Sequence, residues 1–568
     1  MTKKKIPYGV SNFEAIINED YYYVDKTKYI RVLESLNEKH IFFLRPRKFG
    51  KSLFISLLQY YYGIEHRDKF SRLFGDYYIG KNPTSKANSY YILKFDFSSI
   101  MTSSEEETFR GFRKKVVSGI KYFNKAYNLF SEEILASILA EETSNEIMLA
   151  FFNEFSPSEE NAKIFILIDE YDHFTNELIS FRMTEFQQIV SKNGYVRKFY
   201  EAIKEASGNG IVDRFFAAGV TPVTLDSLTS GFNIGKDLTL DLRFNEMLGF
   251  TDAEMKILLA YYEIENIEEV ATDLQNLYNG SLFSPEASER IYNSNMLLYF
   301  LSEFLSRNKY PSDLIDSNIA SDHGKIKSIF YMNNSPEHQQ KLNQIITEEE
   351  TIGVITKKFS FERPFTPDDF VSLLFYNGLI TIKEIEYALI RFRIPNYVIK
   401  EIYWDFFKEE ITRKFNININ ISNLQQALQD LAVNNNMGGW IKEIEKVLDL
   451  LSNRDLLNFD EKYIKMLFIT LASLSPAFII KSETEINGEY PDLMYLFRKP
   501  NSVKFQFLLE LKYLKKGDSA QLNRIMEKAE QQVKRYLLKQ EIKELKNLRI
   551  YIIVFTGKQG HFKEIIPD

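Results

Sequence analysis

The chain has 568 residues, 45% of them hydrophobic, with 71 Lys and Arg against 78 Asp and Glu, a net charge of −7 and no cysteine. That length sets an expectation of roughly three to four domains with ample apolar residues for their cores, and the missing cysteines exclude disulfides, thiolate metal sites and thiol nucleophiles. The opening Met1-Thr-Lys-Lys-Lys-Ile-Pro7 lacks an apolar signal core and no run approaches the roughly 18 apolar residues of a membrane span, so a cytoplasmic location without membrane is expected.

The first predicted strand is His40–Leu44, a short apolar run followed by Arg45-Pro46-Arg47-Lys48-Phe49-Gly50-Lys51-Ser52 and an apolar helix, Leu53–Tyr62. Strand, loop and helix are the context of a P-loop. Backbone N–H groups and the helix N-terminus would cradle phosphates, Lys51 would reach the β- and γ-phosphates, and the Ser52 hydroxyl would ligate Mg²⁺. Arg45 occupies the place of the motif's first glycine. Arg45, Arg47 and Lys48 read either as a solvated basic loop or as phosphate contacts; the second reading is preferred, with Arg47 and Gly50 on the nucleotide side. Lys163–Ile168 is a buried-strand run ending in Asp169-Glu170-Tyr171-Asp172, the form of a Walker B motif. Asp169 would hold Mg²⁺ through water and Glu170 would polarise the attacking water. An acidic pair there is commonly a mere strand cap, but the company of Gly50-Lys51-Ser52 favours function. Arg214–Val220, a third strand, runs into Thr221, which would face the γ-phosphate or simply cap a turn. Arg243 reads as a surface residue more readily than as an arginine acting in trans in a homo-oligomer.

Thr251-Asp-Ala-Glu254 is a capping box, and helical spacing continues through Ile267–Tyr278 and Ser294–Phe304, a helical lid. Asp313–Arg363 reads as a polar, irregular link, Thr366-Pro367-Asp368-Asp369 as a helix start, and Tyr397–Phe415 and Ile421–Leu450 as helices without evident chemistry. The expected segments are 1–250, the lid 251–345, a helical linker 346–460, and 461–568.

The last segment reads α-β-β-β-α-β: helix Glu461–Leu474, strands Ala477–Lys481, Leu493–Phe497 and Lys504–Leu511, helix Asp518–Lys539, strand Leu548–Phe555. Glu510 and Lys512 lie two apart and share a strand face, while Leu509 and Leu511 point to a core. With Asp492 entering from the preceding strand, Asp492 and Glu510 would ligate a divalent cation and Lys512 would orient water or counter phosphate charge. An isolated Glu-x-Lys is usually ordinary edge-strand alternation; the strand order and Pro491-Asp492 reverse that preference. Glu461–Asp568 carries 19 Lys and Arg against 13 Asp and Glu, net +6 on an acidic chain. That suits a nucleic-acid partner, with Lys515, Lys516, Lys534 and Arg535 as phosphate contacts.

Together these residues resemble the PD-(D/E)xK nuclease superfamily, in the branch fused to an AAA-type ATPase-like module. Val24-Asp25-Lys26-Thr27, the Arg45–Ser52 loop, Ile168–Asp172 and Leu225–Asn233 resemble that module, and Arg45 matches its usual pattern. The resemblance implies an α/β fold class: an N-terminal P-loop domain with a helical lid, a helical middle, and a C-terminal restriction-endonuclease-like α/β domain. It gives Asp492, Glu510 and Lys512 the core catalytic roles, adds an acidic residue at Glu483, with Glu485 as rival, and a glutamine at Gln531 or Gln532. The implied cofactors are ATP and Mg²⁺ or Mn²⁺. The implied activity is nucleotide-regulated hydrolysis of DNA or RNA, the alternative being a nucleotide-switched binding module with an inactive nuclease fold.

Overall fold

The structure, a computed structural model, describes residues 3–159, 162–173, 194–222, 232–316, 329–330, 335–359, 365–415, 420–450, 460–482, 491–501 and 503–566. Two compact units emerge, one made of Met1–Ser302 and Asp316–Tyr397, the other of Glu303–Ile315 and Val398–Asp568. Among the described residues, no helix is long and apolar enough to cross a membrane.

The first unit is built on a five-stranded parallel sheet of β1 (His40–Leu44), β2 (Tyr90–Asp96), β3 (Lys163–Asp169), β4 (Val212–Gly219) and β5 (Lys236–Asp237), in the order β2-β3-β4-β1-β5. Its central strands are apolar on both faces because helices cover both sides of a parallel sheet. Ile41–Leu44 and Ile164–Ile168 are all nearly inaccessible. Pairing of Leu44 with Gly219, and of Ile168 with Ala217, brings the carboxyl ends of β1, β3 and β4 to one edge. That edge, where strand order reverses, is where such sheets bind ligands. Helices Asp252–Tyr261, Ile267–Tyr278 and Ser294–Arg307 follow.

Between them and the last segment, the expected linker holds a three-stranded antiparallel sheet of β6 (Glu350–Gly353), β7 (Thr381–Glu386) and β8 (Leu389–Arg393). The stretch expected to be irregular also contains the helix Pro336–Glu348. Asp316–Tyr397 clusters with the first unit and Glu303–Ile315 with the second.

The second unit carries a sheet ordered β13-β12-β11-β10-β9, with β9 (Phe478–Ser482), β10 (Leu493–Phe497), β11 (Gln506–Leu514), β12 (Leu548–Thr556) and β13 (Gln559–Ile565). β11 and β12 run parallel, joined through the helix Leu522–Tyr536; the other pairs are antiparallel. Leu508, Ala529, Val533, Ile550, Ile552 and Val554 form the core between that helix and the sheet. The helix Glu461–Ala472, capped by Asp460, opens the segment.

Candidate functional site

In the first unit, β1 ends at Leu44 and the loop 45–50 turns into the helix Lys51–Tyr62. Two residues make the turn with positive φ, Lys48 at 67° and Gly50 at 98°. Alternating left-handed residues of this kind aim successive N–H groups into one concavity, which is how a backbone binds phosphate. These residues line a cavity of about 450 Å³, whose walls include Arg47–Phe54, Glu170 and His173 together with apolar side chains such as Val10, Val24, Leu248 and Phe250.

Lys51 is only 7% exposed, and its Nζ donates to the carbonyls of Arg45 (2.9 Å) and Pro46 (3.0 Å). Burial pushes the amine down to about 8, against the opposing pull of Asp172, Glu170 and Asp169. Burial above all raises the Asp169 carboxyl, against the opposing influence of Ser52 and Lys51. Glu170 sits at φ +50°, 2.8 Å from His173 Nδ1, and this contact pulls it down to about 2. Arg47, half-buried, lines the cavity.

Two expectations change here. Arg45 is no phosphate contact: its guanidinium is buried between the rings of Phe43 and Phe283 (4.3 and 4.2 Å) and donates to the carbonyls of Leu44, Thr239 and Phe244. Thr221, buried and outside the cavity lining, turns its hydroxyl and its N–H to Asp172 (2.9 and 2.6 Å) instead of a phosphate position. Asp172, unassigned in the sequence, is thus the anchor between the β3 and β4 ends. Arg243 lies at the surface, paired with Asp241 at 2.6 Å. The motif at 225–231 lies outside the described residues.

In the second unit, Leu493 pairs with Leu509, so Asp492 comes beside Glu510 and Lys512 on β11. Lys512 Nζ lies 2.9 Å from Glu510 Oε1, 3.3 Å from Asp492 Oδ2 and 3.1 Å from Glu461 Oε1, and donates to the Leu511 carbonyl at 2.9 Å. The Leu511 N–H donates to Asp492 at 2.8 Å. Expected partners converge, and Glu461 joins them from the first turn of its helix. Glu510 is wholly inaccessible; burial, then the neighbouring Asp492, push its carboxyl up to about 7 despite Lys512. Burial raises Glu461 as well, with Asp492 adding to the shift and Lys512 opposing it. Burial also works against the Lys512 charge, but Asp492, Glu510 and Glu461 outweigh it and hold the ammonium charged.

Tyr536 Oη donates to Glu510 Oε2 at 3.2 Å, and Gln532 donates to Tyr536 one helical turn away. Gln532, not Gln531, therefore belongs to this cluster; Gln531 is exposed, a third of a turn round the helix. Glu483 and Glu485 lie outside the described residues, as does the Lys516 side chain. Lys515 is exposed, Lys534 pairs with Glu530 at 3.1 Å, and Arg535 is exposed.

Among the described residues, no three His, Cys, Asp or Glu are already gathered around a metal position. The donors nonetheless fit Mg²⁺ or Mn²⁺. They are all oxygen, Mg²⁺ needs only one or two carboxylates beside water and substrate, and buried Glu510 Oε1 makes no hydrogen bond although Lys512 is near.

Comparison with known proteins agrees with this division. The family model of a predicted AAA-ATPase matches residues 7–229, and that of the PD-(D/E)XK nuclease superfamily matches 459–565. An uncharacterized protein in the vnfD 5′ region of Azotobacter chroococcum mcd 1 is 24% identical over 311 residues, 53% of this chain and 52% of that protein. The chain thus spans about half the length of this curated relative. The chain belongs to the proteins that join an AAA-ATPase-like domain to a C-terminal PD-(D/E)XK nuclease domain.

Proposed function

We propose that the chain is a metal-dependent nuclease whose cleavage of DNA or RNA is governed by ATP bound in its first unit. The observation that carries this reading is the meeting of Asp492, Glu510 and Glu461 within 3.3 Å of one lysine nitrogen, Lys512 Nζ. Asp492 and Glu510, with the Leu511 carbonyl, would hold Mg²⁺ or Mn²⁺, which supplies Lewis acidity toward a phosphodiester. Lys512, kept protonated by its neighbours, suits the role of countercharge to the phosphate better than that of base. Gln532 and Tyr536 fix the orientation of Glu510. Glu483 or Glu485 completes the acidic set in this reading.

In the first unit, Lys51 would leave the carbonyls of Arg45 and Pro46 for the β- and γ-phosphates, while Arg47 and the N–H groups around Gly50 receive the remaining oxygens. Ser52 and Asp169 would bracket the position of nucleotide Mg²⁺, and Glu170 stands ready for water once released from His173. The helices within 251–345 serve as the lid.

The test is cleavage of plasmid, single-stranded DNA and RNA with Mg²⁺ or Mn²⁺, with and without ATP. Asp492→Ala and Glu510→Ala should abolish cutting, and Lys543→Ala, an exposed residue not among the cluster's side chains, should leave it intact. Equal cutting by all of these chains refutes the site. Binding of nucleic acid without metal-dependent cutting would favour the nucleotide-switched binding module instead.

A further inference from the structure

Asn293, 8% exposed, stands at the head of the helix Ser294–Arg307, and its amide works in two directions. Oδ1 accepts the N–H groups of Asn295 (3.0 Å) and Met296 (3.3 Å), the geometry of a helix N-cap. Nδ2 donates to the carbonyl of Arg47 at 3.2 Å. Beside it, Ser294 Oγ donates to the Phe49 carbonyl at 3.2 Å, and the Asn295 N–H is shared with the Lys48 carbonyl at 3.3 Å.

Three successive carbonyls of the phosphate loop are therefore held from one short turn. The middle one belongs to Lys48, a side-chain-bearing residue at φ +67°, a conformation that L residues resist. These bonds use up carbonyl oxygens of the loop and none of its N–H groups. Ser294, Asn295 and Leu298 line that same cavity. The turn is itself fixed, since Tyr292 and Phe250 exchange backbone hydrogen bonds of 2.8 and 3.2 Å, and Gly249 (φ +85°) packs where a Cβ would meet Ile291 at 2.3 Å.

We infer that Asn293, Ser294 and Asn295 are positioning residues that hold the phosphate loop in its anion-accepting shape before nucleotide arrives, and that the helix they open senses the loop's loading. This rests on the nucleotide reading of the cavity, and its test separates the two. Asn293→Ser retains a cap but loses the amide Nδ2–H that reaches the Arg47 carbonyl; Ser294→Ala lacks the donor to Phe49. In the nucleotide-free full chain carrying both changes, exchange of the Arg45 and Phe54 amides, which donate to Gly219 and Gly50 at either end of the loop, should accelerate by about tenfold or more, the loss of two ordinary hydrogen bonds. The dissociation constant for Mg·ATP by calorimetry should rise by a similar factor. Adding Lys48→Gly, which removes the conformational cost, should recover part of that loss when compared with Lys48→Gly alone; a merely structural defect would not be rescued. ATP should slow exchange at residues 296–302 in the native chain and not in the double variant. Unchanged exchange at Arg45 and Phe54 overturns the positioning role, and an unresponsive helix overturns the sensing role. Faster exchange in a chain whose native form binds no ATP would sink the nucleotide reading alone.

Discussion

Glu510 holds its proton more tightly in the folded chain than in the unfolded one, because burial and Asp492 lift its carboxyl from 4.5 to about 7. A raised folded value means that the group's contribution to stability is complete below about 4.5 and is lost as pH climbs through 7. Glu510→Gln removes this dependence. Across that window the metal-free native chain should lose up to about 3 kcal/mol relative to the variant. Both tryptophans, Trp404 and Trp440, lie in the second unit, so their fluorescence during denaturant unfolding reads the right region. A difference independent of pH would contradict the assignment. The glutamine question has an equally local answer: Gln532→Ala should lower cleavage at least tenfold through Tyr536 and Glu510, whereas Gln531→Ala should leave it unchanged, and the reverse pattern in initial rates would be decisive against it. Asp492, Glu510 and Lys512 were legible because a two-residue spacing on a strand fixes a shared face. Glu461 was not, since an acid in a helix's first turn ordinarily reads as a favourable dipole partner. Tyr536 was hidden by its apolar body in a helix core.

β4 shows how one carboxylate holds an element in place. Asp172 accepts the N–H groups of Val220 (3.0 Å) and Thr221 (2.6 Å) and the Thr221 hydroxyl, in a space so tight that a Cβ on Gly219 would come within 2.3 Å of Asp172 Oδ1. Asp172→Ala would leave these buried donors without an acceptor, at a cost of about 2 kcal/mol or more. Amide exchange in Val212–Gly219 should accelerate by well over tenfold, and unaltered protection would rule the anchor out. The apolar strands β1, β3, β4 and β12 declared themselves by composition. β13 did not, because it is an edge strand whose exposed face leaves Gln-Gly-His-Phe-Lys-Glu-Ile without an apolar run. The hairpin β7–β8 was hidden for another reason. Its connection, Tyr387-Ala388, puts Tyr387 at φ +56° without the Asn-Gly or Asp-Gly that normally signals such a turn.

Across the chain, charge and chemistry separate. Residues Glu461–Asp568 hold a net +6 on a chain of −7, and the carboxylate cluster around Lys512 is embedded in that basic segment. Polyanion binding there should therefore depend steeply on salt, with affinity for a labelled single strand falling several-fold between about 50 and 200 mM as counterion release predicts. Anisotropy titrations that show no salt dependence would contradict a phosphate-backbone interface. The loop 45–50 and the carboxylate cluster occupy different compact units, so on the proposed reading ATP and metal should be removable one at a time: Lys51→Ala should abolish ATP binding without touching the residues proposed to hold the cation.

Everything in the hydrolytic reading turns on a cation held by Asp492 and Glu510. Mn²⁺ binding to the nucleotide-free chain, followed by calorimetry near pH 8, addresses it without any substrate. The native chain and Lys51→Ala should show the same saturable site, and Asp492→Ala should lose it. Identical isotherms for the native chain and Asp492→Ala would mean that these carboxylates hold no metal.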